Sequence, residues 1–303
     1  MKVLLLLPMA DGQTGPAIYH AFQRLKHQIK YVDTKIEPNK SYKACCEFKP
    51  DLVFCSRTYQ LTGEIEKIKK RFKDAKICMW NMDTRTDIND WQHLFPLIKL
   101  VDYHFVPDTK TIPEWRQMNP NTFWLSQGLQ DEIYHKPDEI TEDDRRKYFC
   151  DVSFAGSDRK QRRPFLNAID KMNINFKRWG CAGMPKVYNE EHNKMVSQSK
   201  INLCCSGWSE NGAYTSVRDY KVMGAGGFVL ELYRKGIDDI FPFKVPGVMG
   251  TYISPDDLVQ RIRYWLNHEE ERKAMAERGH KWVHENATYM HRIKQALDYM
   301  GLN

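Results

Sequence analysis

The chain has 303 residues, 42% of them hydrophobic and 28% charged, with a net charge of +7. That length suits two domains of about 150 residues, and the composition excludes wholesale disorder. No apolar run reaches the roughly 20 residues of a membrane span, and a charge of this size permits phosphate-bearing ligands without demanding a nucleic acid.

The opening run Val3–Leu7 stops at Pro8 after a single Lys2, too short for the core of a signal peptide, and it reads as a buried strand. A Gly/Pro turn and an amphipathic stretch from Ala17 to Lys26 follow. Further strands are predicted at Ile29–Val32, Leu52–Ser56, Lys76–Trp80, Tyr103–Val106 and Thr122–Leu125, with helices at Glu64–Phe72, Trp91–Ile98 and Pro113–Met118 between them. This alternation predicts a parallel sheet wrapped by helices, a Rossmann-like domain.

Lys136–Lys147 holds Pro137 and five acidic residues with no apolar period, and it reads as a connector. The α/β pattern then restarts. Strands are predicted at Asp151–Ala155, Asn175–Gly180, Ile201–Cys205, Phe228–Leu232 and Val248–Ile253, and helices at Gln161–Met172, Val187–Ser199 and Ser216–Gly224. From Pro255 the chain is helical to its end. Eight cysteines, with no C-x-x-C pair, lie mostly inside apolar runs. They read as reduced core residues of a cytoplasmic protein, neither a disulfide framework nor a zinc site.

Sheets of this type bind ligands outside the carboxyl ends of their strands, which directs attention to three loops of the second half and to a cleft between the halves. In the first loop, Gly156 and Ser157 leave a strand, and Arg159, Lys160, Arg162 and Arg163 follow as a helix begins. Backbone N–H groups and cations there suit a diphosphate, or equally a solvated helix start. The second, Cys205–Tyr214, offers small residues for close approach, Glu210, and Trp208 or Tyr214 to stack on a base; an ordinary surface loop fits it as well. The third opens at Ser216 with the pair Arg218–Asp219, whose carboxylate suits ribose hydroxyls and whose arginine suits phosphate, if the pair is not merely structural.

These segments, in this order, carry a resemblance. Asp151-Val152-Ser153-Phe154-Ala155-Gly156-Ser157, Ser199–Leu203, Arg218-Asp219-Tyr220 leading to Gly226–Leu230, and Ser254–Leu258 resemble the glycosyltransferase group 1 superfamily in its CgeB-like branch. Thr288–Arg292 is similar to the branch's usual ending, and Trp124–Gly128 with Ile133–Pro137 to its interdomain segment. The resemblance implies the α/β GT-B fold: two Rossmann-like domains facing across a cleft, with a C-terminal helix crossing back to the first. Residues 1–149 would bind the acceptor, 150–287 a nucleotide-sugar, and 288–303 would form the returning helix. The implied activity is transfer of a sugar from a nucleotide-sugar, UDP-linked, to a glycan or small-molecule hydroxyl, with no metal and no cofactor beyond the donor. A hydroxymethylated base in DNA is a second kind of acceptor within reach of this fold. A non-catalytic nucleotide-sugar sensor or an epimerase would use the same fold without glycosyl transfer. Donor contacts are expected from Gly156, Ser157, Arg159, Lys160, Arg163, Glu210, Tyr214, Ser216, Arg218 and Asp219. The family usually places Glu after the aromatic of an Arg-x-aromatic-Glu segment; here the ribose carboxylate is read as Asp219, directly after Arg218.

In the first half, Asp11 and Asp83 each follow a strand, and either could face the acceptor hydroxyl as base or orienting group, or cap a turn. Lys67, Lys69, Lys70, Arg71 and Lys73 crowd one helix, a solvated face or a track for a nucleic-acid backbone. His280 and His284 share a helix face without a third metal ligand.

Overall fold

A computed structural model describes residues 1–10, 12–206, 212–242 and 247–302. The chain divides into two compact units, Met1–Gln127 with Tyr289–Asn303, and Gly128–Thr288.

Unit 1 runs β1 (Lys2–Leu7), α1 (Gly15–Arg24), β2 (Gln28–Asp33), α2 (Ser41–Phe48), β3 (Leu52–Ser56), α3 (Thr62–Arg71), β4 (Lys76–Trp80), α4 (Phe95–Leu100), β5 (Tyr103–Val106), α5 (Ile112–Arg116) and β6 (Thr122–Trp124). Its sheet has the order β2-β1-β3-β4-β5-β6, every pairing parallel. Val3 to Leu7 are buried on both faces, as parallel strands under two helical layers must be. The period of two divides them. Leu4 and Leu6 pack with α2, α3 and α4, while Val3, Leu5 and Leu7 pack with α1 and the chain's last helix.

Unit 2 contains α6 (Glu142–Tyr148), β7 (Cys150–Ala155), α7 (Arg163–Asp170), β8 (Phe176–Trp179), α8 (Asn189–Ser197), β9 (Ser199–Cys204), α9 (Val217–Gly224), β10 (Val229–Leu232), β11 (Gly250–Tyr252), α10 (Pro255–Asn267) and α11 (Glu269–Asn286). The order β11-β10-β9-β7-β8 is again all parallel. Strand order reverses between β7 and β9, which makes their carboxyl ends the expected ligand crevice. The chain then returns to unit 1 for α12 (Tyr289–Met300).

Residues 128–149 belong with unit 2, although the sequence draws its boundary after 149. Asn193 donates to the Ile133 carbonyl at 2.7 Å, and Lys194 pairs with Asp144 at 2.9 Å. The supposed connector also contains helix α6, opened by a capping box in which Thr141 and Asp144 satisfy each other's backbone N–H groups. That signal was readable as Thr-x-x-Asp. All eight cysteines are free, and six are buried. Burial pushes the Cys45 and Cys55 thiols up to about 12, so they are inert packing groups. Among the described residues no helix is long and apolar enough to cross a membrane.

Candidate functional site

A cavity of about 320 Å³ opens in unit 2 at the carboxyl ends of β7 and β8 and the start of α9. Its wall includes Gly156, Ser157, Ser216 and Arg218, four of the residues the sequence points to, together with Lys186 and Lys221. Three cations thus face one space, and none of the described residues that line it is a carboxylate.

The geometry around Arg218 depends on Gly156. A Cβ there would lie 2.7 Å from Arg218 Nη2 and 3.1 Å from the Phe154 ring, so any larger residue would push the guanidinium aside. Arg218 Nε donates to the Ala155 carbonyl at 2.8 Å, and its guanidinium lies 5.3 Å from the Phe154 ring. Arg162 stands behind it, 7% exposed, donating to the carbonyls of Cys205 and Ser157. Burial and the neighbouring Arg218 bring the Arg162 pKa down to about 10, so Arg162 stays charged at neutral pH. A half-buried guanidinium on the cavity wall, backed by a buried one, favours an anion in the space that Arg218 faces.

Unsatisfied groups mark the same wall. Arg218 Nη1 and Ser216 Oγ are buried without a hydrogen-bond partner. Ser216 holds the N-cap position of α9 but makes no side-chain cap, leaving the helix start open to an anion. One turn on, Lys221 Nζ donates to the Tyr134 hydroxyl at 2.8 Å; burial, then Arg218, bring its pKa down to about 8. His192, beneath, is held neutral, its pKa lowered to about 3 by burial and then by Lys221 and Arg218. Tyr188 and Trp179 add aromatic surface to the wall, Tyr188 about half exposed. Cations, an open helix start and aromatic walls together suit a diphosphate joined to a ring system.

The remaining expected contacts lie elsewhere. Arg163 is exposed and pairs with Asp158 at 3.2 Å; Arg159 and Lys160 are exposed and do not line the cavity. Tyr214 is buried, its carbonyl accepting from Arg234. Glu210 and Asp11 lie outside the described residues, as does Trp208. Asp219 stands apart: its side chain is completely buried and absent from the cavity wall. Helical geometry is the reason. Arg218 and Lys221, three residues apart, share the cavity face, whereas Asp219 with Val222 and Met223 turns to the core. Lys221, Lys186, Tyr134, Tyr188 and His192 were missed. The i,i+3 relation of Lys221 to Arg218 was the one readable signal.

In unit 1, Asp83 follows β4 and pairs with Arg57; Arg57 and Arg85 lie 5.0 and 4.9 Å from the Trp91 ring. The lysine-rich helix is partly neutralised, Lys67 by Glu64 and Lys69 by Asp102. His280 Nδ1 and His284 Nε2 face the carbonyls of Met223 and Gly224, the hydrogen bonds of a packed helix. Among the described residues, one group has metal-ligand character, the buried trio Cys204, Asp219 and Glu231.

Comparison with solved structures settles the architecture. Anabaena HepE, in complex with UDP and glucose, superposes with a TM-score of 0.67 over 99% of each chain at 9% identity. Sucrose-phosphate synthase from Thermosynechococcus elongatus gives 0.70 at 9% identity, over 100% of this chain and 99% of that one. A Rickettsia africae glycosyltransferase gives 0.69 at 10%, over 99% and 98%. The fold is GT-B. At such identity the likeness shows the fold alone. Within the GT-B chain, residues 159–298 match the model of a family described as glycosyl transferase-like, a span that includes α9 and most of unit 2. No curated protein matches the sequence.

Proposed function

We propose that the chain is a glycosyltransferase of the CgeB-like branch that transfers a sugar from a UDP-linked donor to an acceptor hydroxyl. One observation carries the reading. A GT-B unit has its ligand-edge cavity lined by Lys186, Arg218 and Lys221 at an open helix start. The family match over 159–298 and the UDP and glucose bound by the similar HepE structure support it. Arg218, Lys221 and the α9 dipole would stabilise the negative charge that grows on the diphosphate as the glycosidic bond breaks. That assistance needs no metal. Asp83, or Asp11, would orient or deprotonate the acceptor hydroxyl, and the acceptor is a glycan or small molecule. Eight free cysteines fit a reducing compartment, and we place the protein in the cytoplasm.

The test is release of UDP from a panel of UDP-sugars, with and without acceptors that include oligosaccharides and hydroxymethylated duplex DNA. UDP released only with a glycan or small-molecule acceptor, and unaffected by chelator, supports the reading. Release with DNA alone would make a modified base the acceptor. Sugar interconversion without release, or donor binding without turnover, identifies an epimerase or a sensor.

A pH dependence follows from Lys221. An ammonium with pKa near 8 is charged below that value and neutral above it, so UDP affinity should fall as pH rises through about 8. Loss of one charge-assisted hydrogen bond predicts a fall of about tenfold or more. Lys221→Arg keeps its charge throughout and should flatten the profile. A wild-type affinity constant across that range would remove Lys221 from the ligand.

A further inference from the structure

Asp219 and Glu231 form a buried acidic pair that the cavity does not use. Both side chains are fully enclosed, and Cys204 Sγ and one oxygen of each carboxyl lie within 4.8 Å of one another. Glu231 Oε1 is well supplied: it accepts from the Ser206 N–H at 3.1 Å and from Arg234 Nη1 at 2.8 Å. Asp219 Oδ2 accepts from the Thr215 hydroxyl. The second oxygens, Asp219 Oδ1 and Glu231 Oε2, are both buried and without a partner. Two ionised carboxylates at this separation beside one arginine would leave a net buried negative charge and two orphaned acceptors.

A single proton removes both defects. We infer that Asp219 is a neutral carboxylic acid that donates to Glu231, and that this shared proton positions the start of α9 for the donor. With Asp219 neutral, Glu231 and Arg234 balance in charge, and each orphaned oxygen finds its partner in the other. Burial, followed by the Glu231 charge and a hydrogen bond with it, hold Asp219 well above the usual carboxylate range.

The pair reaches the cavity through backbone. Arg234 Nε donates to the Tyr214 carbonyl at 2.6 Å, Thr215 is tied to Asp219, and the next residue is Ser216. Ser216 and Arg218 line the cavity, so the pair fixes the segment that presents them. Asp219 is therefore a positioning residue, and that part of the inference rests on the proposed UDP-sugar site. Asp219 meets Glu231, Arg234 and Cys204 from β9, and Glu231 in turn meets Cys205, Tyr252 from β11 and Arg162. Burial pushes the Cys204 thiol and the Tyr252 phenol well above their ordinary values.

The sign of the pH effect is fixed by linkage. A carboxyl whose folded pKa is raised keeps a proton that the unfolded chain releases above about pH 4. Its stabilisation is complete below that pH and is lost as pH rises through the folded value. Asp219→Asn mimics the neutral acid, since its amide donates to Glu231, and it cannot ionise.

The experiment uses the full chain. Melting temperature from pH 5 to 9 should fall more for the wild type than for D219N, so that their difference grows with pH. The infrared spectrum of the wild type at pH 7 should carry a carboxylic-acid carbonyl band that D219N lacks. UDP affinity should stay within about twofold in D219N and fall about tenfold in Asp219→Ala, which leaves Glu231 Oε2 and the Thr215 hydroxyl without the partner Asp219 gave them. The melting and infrared measurements need no ligand, so they judge the proton even if UDP is not the donor. A difference in melting temperature independent of pH, together with no acid band in the wild type, would overturn the shared proton. Stoichiometric zinc in the purified chain, with melting lowered by chelator, would overturn it in favour of a metal on Cys204, Asp219 and Glu231. Intact melting with a tenfold loss of UDP in D219N would return Asp219 to the ligand. If D219N does not fold, the wild-type band and its disappearance at high pH decide the proton alone.

Discussion

Replacing Arg218 by alanine is expected to weaken UDP by about 10- to 150-fold while barely changing the binding of uridine, which has no phosphate to hold. The range is that of one charge-assisted hydrogen bond, about 1.5–3 kcal/mol. Arg218 Nη1 is a buried donor left without a partner, and it stands beside Ser216 at the open start of α9. Its Nε also supports the Ala155 carbonyl, so a small loss of stability, about 1 kcal/mol, should accompany the change. Calorimetric titration of UDP and uridine into both proteins makes the comparison. Equal losses for the two ligands would mean that Arg218 shapes the unit and does not hold phosphate.

The largest structural effect is expected from ending the chain at Thr288. Helix α12 brings the buried side chains of Tyr289, Ile293, Ala296, Leu297 and Met300 into the core of unit 1. Tyr289 meets the Trp80 ring at 5.9 Å, Tyr299 stacks on Phe123 at 4.6 Å, and Lys76 donates to the Met300 carbonyl. Four large apolar side chains at about 1.5–3 kcal/mol each amount to roughly 10 kcal/mol, comparable with the whole stability of a domain. A chain ending at Thr288 should therefore lose protection from proteolysis and hydrogen exchange across 1–127 while α9 and its sheet stay protected. Leu297→Ala gives the graded version, about 2–5 kcal/mol. Unchanged protection of β1 and β4 in the shortened chain would show that α12 is dispensable to unit 1.

The fold was legible because its signals are dense. Val3–Leu7, Leu52–Ser56 and Lys76–Trp80 are apolar runs bounded by turns, and all three are strands of one parallel sheet. Helix α6 was missed because its charges have no apolar period, and only the Thr141–Asp144 capping box announces it. The site was half legible. Gly156, Ser157, Ser216 and Arg218 sit at strand and helix ends, where position along the chain already implies exposure to ligand. Asp219 lies off this cavity because a one-residue step on a helix turns a side chain by about 100°, which local composition does not record. Tyr134 comes to the cavity from a segment far in sequence from that of Lys186 and Tyr188, and only the fold brings them together.

The central claim is that the cavity between β7, β8 and α9 holds the diphosphate of a nucleotide-sugar. A crystal structure of the chain with UDP tests it most directly. The diphosphate should lie within hydrogen-bond distance of Arg218 Nη1, the Ser216 hydroxyl and Lys221 Nζ, giving partners to the two groups now without one. UDP bound with its phosphates away from all three, or bound in another part of the molecule, would contradict it.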